Sequence, residues 1–312
     1  MSDLPPDRIT PDTAPFSVTG VDLFGPFFVK RGRATVKRFG VIFVCQKIRA
    51  VHLEIAHSLT THSFINALRR FMARRGAVKI IRCDNGTNFV GAQRELKDEI
   101  KNWNQQQIHD ELLQKEVKWM FNAPGASHHG GTWERLIRET RKLLSSMLQQ
   151  NTLDDEGLST FMCEVEGILN GRPITPVSDD PRDLEALTPN HLLLYRSTAA
   201  LAPGVFSATD TYSRKRWKIV QHLATQFWHR WKKEYVTSFQ IRQKWNNNQR
   251  NLRKNDLVLL VDNDTPRNVW KMGRVSNVYP DNSGHVRVAE VTTSKSIYKR
   301  PINKLVLMLP EE

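Results

Sequence analysis

The feature that most constrains this fold is a succession of three apolar runs with no helical pattern between them, near residues 17–23, 38–46 and 50–56. A helical pattern follows at 60–75, and two more apolar runs follow at 78–83 and 117–121. Strands joined by short connections pair antiparallel, whereas strands separated by a helix pair in parallel. The order therefore predicts an α/β domain with a mixed sheet.

Further helical patterns cover 131–150 and 154–170, the second beginning with acidic residues that the helix dipole favours there. Five prolines between residues 170 and 210 interrupt any longer pattern and predict a connector. The predicted organisation begins with a disordered segment over 1–15 and an α/β core over 16–170. A proline-rich connector over 171–212, a basic aromatic helix over 213–250 and a small strand-rich domain over 255–310 follow.

The aromatic helix carries apolar residues at helical spacing, namely Trp217, Val220, Ala224, Phe227, Trp228, Trp231 and Tyr235. A stripe facing the core is favoured over a base-stacking surface, and the lysines and arginines beside it are candidate phosphate contacts. From Asn255 onward, short β-rich runs separated by turn signals predict a small SH3-like β-barrel.

Charge is concentrated in the last third of the chain. Residues 213–312 contain 20 Lys/Arg against 8 Asp/Glu, while residues 1–212 contain 26 against 24, within a net charge of +14. Such a concentration indicates a surface for a polyanion, bound through phosphate neutralisation and counterion release. A basic surface that only aids solubility is the alternative.

Composition excludes several classes of protein. Mean hydropathy is −0.48, and the longest apolar run is far shorter than the ~20 residues of a membrane helix. We therefore expect no membrane span, and the acidic, proline-rich start does not resemble a secretory signal, which predicts an intracellular protein. Three scattered cysteines without a Cys-x-x-Cys pair argue against a disulfide framework and against a cysteine-based zinc site.

Three acidic residues lie in three different local settings: Asp22 within a strand, Asp84 at a strand end and Glu134 at a helix start. Taken singly, each has an ordinary interpretation as an exposed strand, turn or helix-start residue. Together they can form a carboxylate cluster of the kind that suits Mg²⁺ or Mn²⁺, and two such ions can hold both sides of a phosphodiester during in-line displacement. The cluster therefore indicates polynucleotidyl transfer.

The blocks around these residues resemble the catalytic blocks of retroelement integrases, and those of the BEL/Pao group of retrotransposons in particular. Five blocks in order carry the resemblance: Gly20–Phe27, Asp84–Phe89, His128–Glu134, Leu187–Leu194 and Arg300–Leu305. The resemblance implies a ribonuclease H-like mixed-sheet core followed by a helical connector and an SH3-like DNA-binding domain. It also implies Asp22, Asp84 and Glu134 as catalytic residues and as ligands of two Mg²⁺ or Mn²⁺ ions when DNA is bound.

The activity that the resemblance implies is trimming of element DNA ends and joining of their 3′ ends to a target duplex. The expected partner is double-stranded DNA, bound by a homo-oligomer in the nucleus, with no small-molecule substrate. Glycines at 125, 130 and 131 predict a mobile loop over 122–132. The candidate DNA contacts are His128, His129, Arg138, Arg141, Lys142, Arg214, Lys215, Lys232, Lys233, Lys271 and Arg274.

Two features depart from retroviral integrases. Asp84 and Glu134 are separated by 49 residues, a longer interval than in retroviruses, and the extra length is expected as a helical stretch over 96–115. No His/Cys zinc-binding domain precedes Phe16. Without such a domain, we expect the chain to bind DNA but to join it poorly. Two other functions stay open: a domesticated, non-catalytic DNA-binding protein, and an RNase H-type nuclease that cleaves RNA in a hybrid.

Overall fold

The computed structural model describes ten stretches of the chain: residues 13–83, 118–121, 131–150, 152–176, 186–195, 203–207, 209–210, 215–239, 250–262 and 265–309. The chain divides into two compact units. The first unit comprises Met1–Leu169 and Phe206–Phe227, and the second comprises Asn170–Val205 and Trp228–Glu312.

The first unit is built on a five-stranded sheet. Its strands are β1 (Val18–Arg31), β2 (Ala34–Cys45), β3 (Val51–Ala56), β4 (Ile80–Cys83) and β5 (Lys118–Phe121). They lie in the order β3-β2-β1-β4-β5, with antiparallel pairing among the first three strands and parallel pairing of β4 with β1 and of β5 with β4. The predicted mixed sheet is confirmed, although β1 and β2 extend well beyond the predicted apolar runs.

The helices are α1 (Thr61–Arg75), α2 (Gly131–Gln150), α3 (Asp155–Asn170), α4 (Pro189–Leu194) and α5 (Arg216–Phe239). The Thr60 side chain caps α1 by accepting from the Ser63 amide, and α1 ends at Gly76, whose positive φ of 88° suits glycine. Helix α4 was not predicted; Thr188 and His191 form a capping box at its start. No helix in the described part of the chain is long and apolar enough to cross a membrane.

A buried polar cluster joins β3, α1 and α3. His52 of β3 lies 3.2 Å from the Glu54 carboxylate and 3.1 Å from that of Glu166, which also accepts a hydrogen bond from Arg75. Glu54 accepts from Arg70 at 2.7 Å. Burial lowers the pKa of His52, but hydrogen bonds to Glu166 and Glu54 outweigh it and raise this pKa above its ordinary value.

The two carboxyl groups of this cluster respond in the opposite direction. Burial raises the pKa of both Glu54 and Glu166, but hydrogen bonds to His52 and the charges of neighbouring cations outweigh it and lower both pKa values. The aromatic rings beneath the cluster are well packed, since Phe43 and Phe71 stack with their centroids 4.1 Å apart. The cluster is therefore an ionised network that links three elements.

The second unit contains an antiparallel sheet with the strand order β11-β10-β9-β8-β12. The strands are β8 (Leu257–Leu260), β9 (Lys271–Pro280), β10 (Val286–Thr292), β11 (Ile297–Pro301) and β12 (Leu305–Leu309), and a two-stranded sheet is formed by β6 (Thr175–Pro176) and β7 (Ala186–Leu187). Side chains from all five strands meet in one apolar cluster that includes Val258, Val275, Val291, Tyr298 and Leu305. Four strands overlap the predicted runs, and β12 was not predicted.

Helix α5 contributes to both units, because its residues through Phe227 belong to the first unit and those from Trp228 to the second. Most of the predicted core stripe is fully buried, namely Val220, Ala224, Phe227, Trp228 and Trp231. Trp217 differs from the prediction, since 53% of it is exposed. Its ring makes an edge-to-face contact with Phe206.

Candidate active site

The pairing of β1 with β4 sets the geometry of the candidate site. β1 is the central strand of its sheet, and its parallel register with β4 pairs Gly20 with Arg82 and Val21 with Cys83. One residue further along each strand, the sequence carries Asp22 and Asp84. Neighbouring strands lie about 4.8 Å apart, so this register is suited to bringing two carboxylates together. Asp84 itself lies outside the described residues.

Asp22 is a partly buried carboxylate with both oxygens engaged. Its Oδ1 accepts from the Leu23 amide at 2.9 Å, and its Oδ2 accepts from Arg141 Nη1 at 3.1 Å. The Asp22 side chain is 18% exposed and the Arg141 side chain 21%. A carboxylate in this setting needs a cation nearby, and the guanidinium supplies one.

Helix α2 delivers Arg141 to this position. The helix packs against β1, and its inward-facing residues Leu136, Ile137, Thr140, Leu143 and Leu144 are buried. Glu134 is seven residues before Arg141 in the same helix, so the two positions share a face and are about 10 Å apart along the axis. The Glu134 side chain lies outside the described part of the structure.

The three predicted carboxylates would together hold a divalent cation. The described residues contain no group of three His, Cys, Asp or Glu that could hold a metal. Of the three predicted ligands, only the Asp22 side chain is described, and its partly buried carboxylate oxygens are of the kind that Mg²⁺ prefers. Asp22 therefore fits such an ion, and Asp84 and Glu134 as its other ligands remain a prediction.

The DNA contacts predicted in the first unit have different positions. Arg138 and Lys142 are exposed on α2, and Lys215 is exposed just before α5. Arg141 is engaged with Asp22. His128, His129, Arg214 and the predicted helical stretch over 96–115 lie outside the described residues, as does the predicted loop except for its last two residues, which already belong to α2.

Lys232, in the second unit, requires a correction. It is buried, with 6% of its surface exposed, and its Nζ donates to the backbone carbonyl of Asp262 and at 2.6 Å to Thr265 Oγ1. The ammonium also lies 5.5 Å from the Trp228 ring centroid. Because its donors are used inside the protein, this position does not present Lys232 to a phosphate backbone.

The remaining predicted contacts of the second unit are more accessible. Lys233 is exposed, next to Lys232 in the chain. Lys271 is half-buried, pairs with Asp262 at 3.0 Å and lies 5.4 Å from the Tyr298 ring centroid. Arg274 donates to the backbone carbonyl of Asn255 at 3.0 Å.

Several basic residues near the β1–β2 turn were not singled out from the sequence. Lys30, Arg31, Arg33 and Lys37 are exposed at the end of this hairpin. The signal that could have found them is the density of basic residues around Gly32, where Lys30, Arg31, Arg33, Lys37 and Arg38 lie within nine residues.

Comparison with protein families gives one match. Residues 215–308 match a family described as a family of unknown function, DUF5641. This segment spans α5 and the strand-rich sheet of the second unit, and it is less than half of the chain. No curated protein sequence matches the chain.

Two solved structures are similar to the chain. One is the simian T-cell lymphotropic virus intasome in complex with PP2A regulatory subunit B56 gamma, with 11% identity and a TM-score of 0.37 over 100% of this chain and 85% of that one. The other is the HTLV-2 integrase catalytic core domain in complex with magnesium, with 17% identity and a TM-score of 0.33 over 50% of this chain and 88% of that one. At TM-scores this low, neither similarity carries an argument about fold or function.

Proposed function

We propose that this chain is the integrase of a BEL/Pao-type retroelement, a metal-dependent polynucleotidyl transferase that processes DNA 3′ ends and joins them to target DNA. The observation that carries the proposal is the position of Asp22 on the central strand β1, in register with the end of β4 and in contact with α2 through Arg141. In the sequence, Asp22 and Glu134 belong to β1 and α2, and Asp84 is the residue that follows β4. A single site can therefore use all three carboxylates.

The architecture supports the finer assignment of the two domains. Three antiparallel strands followed by two parallel ones, in the order β3-β2-β1-β4-β5, are the arrangement expected of a ribonuclease H-like core. The apolar cluster to which all five strands of the second sheet contribute is what a small SH3-like barrel requires. We infer these two folds from strand order and packing.

The chain's own residues would act through charge and position. Asp22, Asp84 and Glu134 would hold two Mg²⁺ or Mn²⁺ ions, which when bound activate the attacking water or DNA 3′-hydroxyl and stabilise the leaving oxygen. Arg141 orients the Asp22 carboxylate by its hydrogen bond to Oδ2. The same guanidinium would donate to a phosphate oxygen beside Asp22 when DNA is bound, and the reaction requires no protein nucleophile.

The basic balance of the chain supports duplex DNA as the partner. The net charge is +14, with a surplus of 12 basic residues over acidic ones in 213–312. Concerted joining of two DNA ends requires at least two active sites, which favours a homo-oligomer on DNA. A protein that acts on chromosomal DNA would work in the nucleus, so we propose a nuclear location.

The test is an oligonucleotide strand-transfer assay in Mg²⁺ and in Mn²⁺. Asp22→Asn and Glu134→Gln should each abolish joining while leaving salt-sensitive DNA binding in place, because each removes a metal-binding charge and little volume. Glu156→Gln, which changes an exposed acid at the start of α3, is the matched control and should join DNA like the unchanged protein.

The other outcomes identify the two alternative functions. Binding without joining by the unchanged chain, also after an N-terminal zinc domain is added, would mean a non-catalytic DNA-binding protein. Cleavage of RNA in an RNA–DNA hybrid with no joined product would mean an RNase H-type nuclease. Joining that survives Glu134→Gln would contradict the proposed ligand set.

A further inference from the structure

The hairpin formed by β1 and β2 is longer than the rest of its sheet. Beyond the irregularity between Phe24 and Phe27, the two strands stay paired from Phe27 and Arg38 to Arg31 and Ala34. Gly32 and Arg33 make the turn, with a φ of 62° at Gly32, which suits the first central position of a type II′ turn. β4 pairs with β1 only as far as Val21, and further along that edge the Lys30 amide donates to the Leu153 carbonyl at 2.8 Å, just before α3.

The two faces of the hairpin differ in chemistry. On one face Phe27, Val29 and Arg38 are buried. The other face carries Phe28 opposite Lys37 and Lys30 opposite Thr35, since directly paired residues share a face. All four are exposed, and 49% of Phe28 is accessible to solvent. This face therefore combines an exposed aromatic ring with two lysines beside it.

The charge at this end of the hairpin is strongly positive. Besides the two lysines, Arg31 and Arg33 are exposed at the turn. Two acids of the following helix region lie nearby, but both already have basic partners: Asp155 accepts two hydrogen bonds from Arg38, at 2.6 and 2.9 Å, and Asp154 pairs with Arg216. The exposed cations at this end of the hairpin therefore lie near two acids that already have basic partners.

We propose that this face, formed by Phe28, Lys30, Thr35 and Lys37 with Arg33 of the turn at its end, binds the sugar-phosphate backbone of duplex DNA. The proposal rests on the proposed function and adds a contact to it. The lysines neutralise phosphates, and Phe28 packs its ring against the sugars between them. Lys and Arg side chains suit this ligand because phosphate contacts need positive charge but no base-specific geometry.

The position of the face relative to the candidate active site gives the contact a location on DNA. Lys30 is eight residues beyond Asp22 along β1, which is at most about 26 Å of extended strand. Base pairs are spaced about 3.4 Å along the duplex axis, so the contact lies up to about eight base pairs from the reacting phosphate. It therefore holds DNA that flanks the site of joining.

The experiment measures the affinity of the full chain for a long DNA duplex over a range of salt concentrations, without divalent cations. Lys30→Gln combined with Lys37→Gln should reduce the slope of log K against log salt by about 1.8, since each phosphate contact contributes about 0.9. Lys79→Gln, an exposed lysine before β4, should leave the slope unchanged. Phe28→Ala should weaken binding severalfold with no change in slope, because it removes an uncharged contact.

Footprinting of the same proteins on DNA adds a second readout. The double lysine variant should lose protection up to about eight base pairs from the joining site and keep it at the site itself. Matching thermal unfolding curves for all variants exclude loss of fold as the cause.

The outcomes separate this proposal from the proposed function. If the unchanged chain joins DNA but the double variant keeps the full salt slope, the hairpin contact is wrong and the integrase assignment stands. If the slope falls with duplex RNA and not with DNA, the ligand is wrong. If the unchanged chain neither binds nor joins duplex DNA, both proposals are overturned.

Discussion

Arg141 of α2 and Asp22 of β1, which are 119 residues apart in sequence, are joined by a hydrogen bond of 3.1 Å between Nη1 and Oδ2. Both side chains are mostly buried, so solvent screens this pair less than an exposed one. The pair fixes the helix that carries Glu134 against the strand that carries Asp22. The Arg141 guanidinium lies beside the carboxylate that is predicted to bind Mg²⁺. The effect of Mg²⁺ on the stability contributed by this pair therefore tests whether an ion binds at Asp22.

Replacing Arg141 with glutamine should destabilise the metal-free protein by about 1–3 kcal/mol, because the partly buried Asp22 carboxylate loses a charge-assisted hydrogen bond. Saturating Mg²⁺ should reduce this loss, since an ion bound at Asp22 would compensate the same charge. Urea unfolding with and without Mg²⁺ measures both quantities.

Arg138→Gln serves as the control for this comparison, because Arg138 is exposed on the same helix. It should change the free energy of unfolding by no more than about 0.5 kcal/mol in either condition. An equal loss for Arg141→Gln with and without Mg²⁺ would mean that no ion binds near Asp22.

The buried cluster around His52 predicts a pH dependence of stability. The pKa of His52 is raised above 6.5 in the folded protein, so its contribution is fully present below that value and is lost as pH rises through the raised pKa. The pKa values of Glu54 and Glu166 are lowered below 4.5, so their contribution is lost as pH falls through the lowered values. The cluster should therefore stabilise the first unit most between these limits.

We expect the free energy of unfolding to fall as pH rises above 6.5 in the unchanged protein, and to fall less in His52→Gln. Other titrating groups, including His57, whose pKa is lowered chiefly by burial, are common to both proteins and cancel in the comparison. His285→Gln removes an exposed histidine and should keep the full pH dependence. Identical pH profiles for His52→Gln and the unchanged protein would refute this role.

Much of the first unit could be predicted from local patterns. The helix predicted over 131–150 has those bounds in the structure, because its apolar spacing is long and regular. The three early strands and the parallel β4 follow from the order of apolar runs, since that order leaves few ways to bury them. Asp22 was predicted as a site residue from its sequence context and that role stays a prediction, to which the structure adds the contact with Arg141.

Other features depend on information that local patterns do not contain. The extension of β1 past Phe24 was missed because Gly25 and Pro26 are strand breakers in sequence, whereas here they accompany an irregularity in the pairing. Lys232 was assigned to the surface because periodicity ranks a lysine as exposed, while Asp262 and Thr265 provide oxygens for it inside the second unit. Such partners are distant in sequence and become visible only in the fold.

Two glycine substitutions should have opposite effects on stability. A Cβ added at Gly40 would lie 2.3 Å from the ring of the buried Phe24, so Gly40→Ala should destabilise the first unit by about 1–3 kcal/mol through overpacking. Gly167 lies inside α3 with no other atom within 4 Å of the added Cβ, so Gly167→Ala should stabilise it by about 0.5–1 kcal/mol. Thermal unfolding of both variants tests the packing directly, and a double Gly40→Ala, Phe24→Leu variant should recover part of the loss.

Lys232 and Lys233 form a matched pair that separates a structural lysine from a surface one. Lys232→Met should destabilise the second unit by about 1–3 kcal/mol, because the Asp262 carbonyl and Thr265 Oγ1 lose the ammonium that donates to them. Lys233→Met should change the free energy of unfolding by no more than about 0.5 kcal/mol, since Lys233 is exposed. In DNA binding the order should reverse: if Lys233 contacts a phosphate, only its loss reduces the salt slope, by about 0.9. A reduced slope for a fully folded Lys232→Met would restore Lys232 as a DNA contact.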